Sequence, residues 1–269
     1  MPIRTVIIPA AGRGTRLMPA TKVTAKELLP VFDRVAIDFA VEEAIGAGAE
    51  RVVVVISTSK TAIRSYLGHV ALAVSGDGPR IGRQHEGVEI VYVYQDRMLG
   101  LGHAILCCRD TVLPGAIGVI LPDDIIMGPN ALAEMAARYR RGHMVAGMPV
   151  SAEDAAQYGI FRVSGLPVDN CIPVSGMVEK PAPGTAPSSI AAVGRYILDP
   201  MIFDVLAHTP PGKGGEVQLT DAISIAGLAV PLTAFRFSGS RYDCGNHDGL
   251  LAAAIARQAE VHRHRATQS

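Results

Sequence analysis

Five apolar runs of strand length, Ile3 to Ile8, Arg51 to Ile56, Val88 to Tyr94, Ala116 to Leu121 and Met144 to Val150, constrain this chain more than any other feature. Most are continuous rather than alternating, which is the pattern of strands covered on both faces. Helical patterns lie between them. Val35 to Gly48 places Ile37, Val41, Ala44, Ile45 and Gly48 on one stripe, with Glu42 and Glu43 outside it, as an amphipathic helix ending near a glycine does. Gly100 to Asp110 and Asn130 to Arg141 predict two more helices. Strand and helix alternating over the first 150 residues predict an α/β fold with a mixed, mostly parallel sheet flanked by helices.

After Val150 the rhythm loosens. Strands are predicted at Tyr158 to Val163, Val174 to Glu179, Ala191 to Leu198 and Val230 to Phe237, and helices at Asp199 to Ala207, Glu216 to Ala226 and Gly249 to Val261. Pro181 to Pro187 reads as a loop. With no repeat and no long linker, residues 1–269 are expected to form a single domain, in two parts of about 1–150 and 151–269.

Composition removes several function classes. A chain of 269 residues, 49% hydrophobic, buries roughly 75% of its unfolded surface and needs no covalent staple. Its 25 basic and 25 acidic residues cancel, so the basic footprint of a nucleic-acid or anionic-membrane binder is missing. Cys107, Cys108, Cys171 and Cys244 contain no C-x-x-C pair, which suggests neither a zinc site nor a disulfide framework and points to reduced thiols in the cytoplasm. The apolar run near the amino terminus is closed by Pro9, too short for a signal segment. No stretch has the apolar length of a membrane span.

Chemistry is suggested first where the opening strand runs into Pro9-Ala10-Ala11-Gly12-Arg13-Gly14-Thr15-Arg16. In a parallel sheet this turn lies at the carboxyl edge, where ligands bind. Its small residues would let backbone N–H groups approach phosphate oxygens, and Arg16 adds a charged donor fork. The dinucleotide fingerprint fails because Leu17 stands where its third glycine belongs, and the P-loop fails at Pro19-Ala20. Only five of the 25 basic residues are lysines. Lys22, Lys26, Lys180 and Lys213 nonetheless fall beside turns or candidate site residues, as befits point charges on phosphate. Asp123, in Leu121-Pro122-Asp123-Asp124, ends a buried strand where a carboxylate can hold a hard cation or simply make a turn. Asp243 follows the last predicted strand, and sequence alone does not bring the two together. Glu179-Lys180 is equally the pattern of a surface ion pair, and His103 that of a satisfied boundary residue. His262 and His264, two apart, do not share a helix face.

Taken in order, these pieces resemble the bacterial UTP-glucose-1-phosphate uridylyltransferases of the sugar-nucleotidyltransferase superfamily. The resemblance spans nearly the whole chain. It continues through Pro19-Ala20-Thr21-Lys22, Lys26-Glu27-Leu28-Leu29-Pro30, Val41-Glu42-Glu43-Ala44, Leu99-Gly100-Leu101-Gly102-His103-Ala104, Tyr158-Gly159 and Val178-Glu179-Lys180-Pro181. Val193-Gly194-Arg195-Tyr196, Gly214 to Ala222 and Arg241-Tyr242-Asp243-Cys244-Gly245 complete it. It implies a Rossmann-like nucleotide-diphospho-sugar transferase fold and transfer of UMP from UTP to glucose 1-phosphate, giving UDP-glucose and pyrophosphate. Ala11, Gly12 and Gly14 would line the nucleotide, Arg16 and Lys26 would neutralise pyrophosphate, and Gln95 and Gly100 would read the base. Asp123 and Asp243 would hold Mg2+, Glu179 and Gly159 would meet glucose, and Lys180 would hold the sugar phosphate. A cytoplasmic homodimer or homotetramer is implied. Neighbouring expectations are the same chemistry with dTTP or another sugar 1-phosphate, and an inactive regulatory relative. The chain departs from the pattern at Ala25, Val35 and Asn246-His247, and in a shorter, glycine-rich stretch from Ser57 to Gly87.

Overall fold

The computed structural model describes residues 3–72 and 87–266; residues 73–86 of the glycine-rich stretch therefore lie outside the described residues. The first part contains β1 (Thr5–Pro9), the short ribbon β2 (Pro30–Val31) and β3 (Arg34–Val35), α1 (Ala36–Gly46), β4 (Arg51–Ile56), α2 (Thr61–Leu72) and β5 (Glu89–Tyr94). Then come α3 (Gly100–Leu106), β6 (Ile117–Ile120), β7 (Asp124–Met127), α4 (Ala131–Arg138) and β8 (His143–Pro149). The second part contributes β9 (Gly159–Val163), β10 (Cys171–Glu179), β11 (Ile190–Leu198), α5 (Ile202–His208) and α6 (Leu219–Ala226), followed by β12 (Leu232–Arg236), β13 (Ser240–Asp243) and α7 (His247–Ala266).

One nine-stranded sheet runs through both parts in the order β5-β4-β1-β6-β11-β8-β12-β10-β9. Its first four strands are parallel. β11 enters antiparallel between β6 and β8, β12 runs parallel to β8, and β10 and β9 close the edge antiparallel. The four parallel strands of the first part are thus joined by one further parallel pair, β8 with β12, and the antiparallel β11, β10 and β9 make the sheet mixed.

The continuous apolar runs follow from coverage of both faces. Val52, Val54 and Ile56 of β4 pack into a cluster with Ile37, Val41 and Ala44 of α1 and with Leu132 and Met135 of α4. Val53 and Val55 face the opposite way, into a cluster with Ile105, Phe203 and Leu219. Each such side chain contributes about 1.5–3 kcal/mol on burial. α4 starts where Asn130 accepts a hydrogen bond from the Ala133 amide at 2.8 Å, an ordinary N-cap.

Five elements escape the apolar-run reading: β2, β3, α2, β7 and β13. β7 and β13 form a separate antiparallel ribbon, with Asp243 opposite Asp124. Motif pieces far apart also meet inside the molecule. Arg195 on β11, 1% exposed, donates through Nε and Nη2 to Glu43 on α1 at 2.8 and 2.7 Å. Glu43 and Arg195 therefore join the two parts.

Candidate active site

Beyond β1 the chain turns through Ala10, whose amide donates to the Val55 carbonyl at 2.7 Å. Ala11 and Gly12 line a cavity of about 740 Å3 together with Arg16, Lys26, Gln95, Gly100 and Asp123. A Cβ on Gly12 would meet nothing within 4 Å, so what a side chain would fill there is the cavity itself. Gly14 is not among the lining residues. Its φ of 66° lies in the left-handed region, where glycine is at ease. A Cβ there would stand 3.2 Å from that of Lys26, so Gly14 seats the Lys26 loop against the turn.

Lys26 donates from Nζ to Asp123 Oδ2 at 2.5 Å. Burial pulls the Lys26 ammonium down, but Asp123 and Glu27 outweigh it and hold its pKa above the ordinary value. Burial likewise pushes Asp123 up, and Lys26 overrides it, keeping the carboxyl below its usual range. Both groups are charged at neutral pH. Under the Lys26 loop, Lys60 donates to Glu27 at 2.7 Å and to the Ala10 carbonyl at 2.8 Å, while the other Glu27 oxygen is buried without a partner.

The ribbon of β7 and β13 brings Asp243 to the same corner. The Cys244 amide donates to the Asp123 carbonyl at 2.7 Å, and Arg16 lies 3.8 Å from Asp243. A Cβ on Gly245 would fall 2.5 Å from Arg16 Nη2, 2.9 Å from Asp243 Oδ1 and 3.2 Å from Asp123 Oδ2. One guanidinium and two carboxylates therefore converge on a point that only a glycine can adjoin. The donor set fits Mg2+, a hard cation usually held by one or two carboxylates and completed by water and substrate phosphate. Among the described residues no cluster of three or more His, Cys, Asp or Glu side chains forms a closed cage.

Gln95, buried after β5 in the lining of the same cavity, donates from its amide nitrogen to the Gly100 carbonyl and approaches His103 Nδ1, both at 3.0 Å. Burial and then Arg97 hold the His103 ring below its ordinary pKa, so it is neutral. Gly100 has a φ of 90°, and a Cβ there would come 2.7 Å from that of Glu216. The Gly102 amide donates to the Val217 carbonyl at 3.0 Å. A segment of the second part thus clamps the start of α3.

A second cavity, of about 670 Å3, is lined by Gly159, Glu179, Lys180, Tyr196, Arg241 and Asp243 among others. Arg16, Asp123 and Glu216 line both cavities. Gly159 sits opposite Glu179 in the β9–β10 pairing, and Thr220 donates to Glu179 at 2.7 Å. Lys180 has a φ of 42°, a left-handed position that costs a lysine about 1–3 kcal/mol. That twist ends the strand and lets both side chains enter one cavity, with Lys180 Nζ 3.6 Å from Glu179 Oε1. Strand geometry alone would have sent them to opposite faces.

Several residues of this wall escape sequence reasoning. Arg241 donates from Nε to Asp124 at 2.6 Å and from Nη1 to the Tyr158 hydroxyl at 3.0 Å, with its guanidinium 5.3 Å above that ring. The other Asp124 oxygen accepts from the Gly194 amide at 2.7 Å. Tyr196, Thr220, Glu216 and Lys60 are likewise added by the structure. The usable signal was scarcity for Lys60, the one lysine left over by the turn pattern, and position within quoted motifs for the others.

Comparison with known proteins identifies the family and the fold. The nucleotidyl transferase family profile matches residues 5–260. A UTP-glucose-1-phosphate uridylyltransferase of Pseudomonas aeruginosa is 37% identical over 264 residues, covering 93% of this chain and 94% of the relative. A crystal structure of UDP-glucose pyrophosphorylase complexed with UDP-glucose superposes with a TM-score of 0.87 at 36% identity, over 96% of this chain and 99% of that one. The UTP-bound enzyme from Acinetobacter baumannii gives a TM-score of 0.84 at 34% identity, over 96% and 94%. The chain belongs to the nucleotidyl transferase family, within its group of UTP-glucose-1-phosphate uridylyltransferases.

Proposed function

We propose that the protein transfers UMP from UTP to glucose 1-phosphate, releasing UDP-glucose and pyrophosphate, with Mg2+ at Asp123 and Asp243. The observation that carries this reading is the shared boundary of the two cavities. A small-residue turn with Arg16 and Lys26 lines one, Glu179 and Lys180 line the other, and Arg16 and Asp123 stand where they meet. A reacting phosphorus at that boundary would lie within reach of a donor phosphate from one side and an acceptor from the other.

In this reading an oxygen of glucose 1-phosphate forms a bond to the α-phosphorus of UTP as the bond to the β-phosphate oxygen breaks, and pyrophosphate leaves with that electron pair. The attacking oxygen is already anionic, so no general base is required. Lys180 holds the acceptor phosphate, and Glu179, fixed by Thr220, accepts from sugar hydroxyls beside Gly159. Arg16 and Lys26 neutralise the leaving pyrophosphate, and Ala11 and Gly12 let the backbone approach the nucleotide. Gln95 and Gly100 meet the base. Bound Mg2+ would supply charge neutralisation at the phosphates, and the protein's own contribution is positioning and fixed charge.

A second reading with dTTP as donor draws on one feature: the amide of Gln95 addresses an edge that uracil and thymine share. Retention of Arg16, Lys26, Asp123, Lys180 and Asp243 argues against an inactive relative. We place the protein in the cytoplasm, supported by four free cysteines, as a single domain built on one continuous sheet. Among the described residues no helix is long and apolar enough to cross a membrane. A homodimer or homotetramer follows the resemblance, and light scattering distinguishes them. The deciding assay is pyrophosphate release with glucose 1-phosphate and Mg2+, run with UTP, dTTP, ATP, GTP and CTP. Preference for UTP with UDP-glucose seen by mass spectrometry is expected, and silence with every nucleotide and every sugar 1-phosphate overturns the reading.

A further inference from the structure

The base end of the first cavity holds a hydrogen-bonded chain whose direction is set by its terminal groups. Gln95 is 4% exposed, and its amide faces the Gly100 carbonyl and His103 Nδ1, each at 3.0 Å. A backbone carbonyl only accepts, so the Gln95 atom opposite it is the nitrogen, whichever way the amide is drawn. The second amide proton needs a lone pair. His103 Nδ1 offers one only when the ring is neutral and protonated at Nε2. The Cys107 sulfur, 3.7 Å from the same nitrogen, is a far weaker donor. With both protons engaged, the oxygen is the one polar atom Gln95 has left for a ligand in the cavity it lines.

We propose that His103 is a positioning residue that locks the Gln95 amide with its oxygen toward the base, and so makes the site select a base carrying a ring N–H over one with a bare ring nitrogen. The inference rests on Gln95 as the base contact. Uracil and thymine present N3–H to such an oxygen, whereas cytosine presents an N3 lone pair, placing two acceptors face to face. If the amide were free to turn over, its NH2 group would suit cytosine. The Gly100 carbonyl opposes that flip from one side and His103 from the other. The clamp on α3 keeps His103 in register, because a Cβ on Gly102 would come 2.6 Å from the Val217 carbonyl and the helix can approach that segment only at glycine.

The test is pyrophosphate release by the full chain with glucose 1-phosphate and Mg2+, comparing UTP with CTP for the wild type, His103→Leu, His103→Asn and Gln95→Leu. His103→Leu is expected to raise KM for UTP with little change in kcat, and to lower the UTP-over-CTP ratio of kcat/KM by about tenfold or more, the scale of leaving one buried amide proton unpaired. His103→Asn, whose side-chain oxygen can take the place of Nδ1, is expected to restore the ratio. An unchanged ratio in His103→Leu beside a collapsed one in Gln95→Leu overturns the role of His103 and leaves the base contact standing. An unchanged ratio in Gln95→Leu overturns the base contact and the proposal together. Nitrogen NMR of the wild type adds a test that needs no variant: an unprotonated His103 Nδ1 at neutral pH is expected, and a proton on that nitrogen overturns the proposal.

Discussion

The walls of the two cavities are made of different material. The first opens on the small residues Ala11 and Gly12 after β1, where the backbone itself forms part of the wall, with Arg16, Lys26, Gln95 and Asp123 around them. The second is assembled mainly from longer side chains on or beside β10, β11, β13 and α6, held by ion pairs and hydrogen bonds such as Arg241 to Asp124 and Thr220 to Glu179. A backbone-built wall suits a ligand with repeated, similar groups such as a triphosphate. A wall built of side chains can distinguish the hydroxyls of one sugar from those of another.

The comparison can be broken most forcefully at the join between the two parts. We predict that Glu43→Ala, which strands the Arg195 guanidinium in the interior, costs about 3–5 kcal/mol in denaturant unfolding. Replacing both partners by methionine should cost clearly less, and equal losses would show that the pair itself does not hold α1 to β11. Next in size is an effect seated in β8. Burial pushes the His143 imidazole down to about 4 from the 6.5 expected in the unfolded chain. The unfolded state therefore binds the extra proton first, and the stability supplied by the neutral ring, complete above about pH 6.5, is lost as pH falls toward 4. The loss should be on the order of 3 kcal/mol, and a pH series of unfolding curves on His143→Asn should lack it.

Three substitutions at the cavities sharpen the contrast. Lys180→Ala and Asp123→Ala should each lower turnover about a hundredfold or more, the scale of one transition-state charge contact; near-normal turnover would remove that residue from the chemistry. Thr220→Val, which frees Glu179 on the sugar side, should raise KM for glucose 1-phosphate by about tenfold and leave KM for UTP alone. A shift in both would mean that the two walls do not act separately.

The same contrast governs what could be read from the sequence. Ala11, Gly12, Arg16 and Lys26 were legible because a turn is local and small residues beside charges announce it. The apolar runs at β4 and β6 were legible because both faces are covered. Arg241 was not, since arginine is this chain's default cation and the role of this one depends on Asp243 standing opposite Asp124. β7 and β13 are four residues each and carry aspartates at the ends that matter, so no apolar run marks them. Lys180 is legible on chemistry, but its aim comes from a left-handed backbone that residue identity does not disclose. The sequence motif places Gly14 beside phosphate, whereas its conformation and its contact with Lys26 supply a need for glycine without any ligand.

The ribbon that sets Asp243 beside Asp123 also bears on how the molecule is born. A chain emerging from the ribosome folds from its amino terminus forward, and the parallel strands with their glycine turn are translated early. Asp123 must then wait until the chain has been synthesised through Asp243, 120 residues further on, before its companion arrives. A nascent chain halted before Ser240 would carry the turn and Lys180 but only one carboxylate of the cation corner. On the proposed role of Asp243, competence for the reaction is acquired late, with β13.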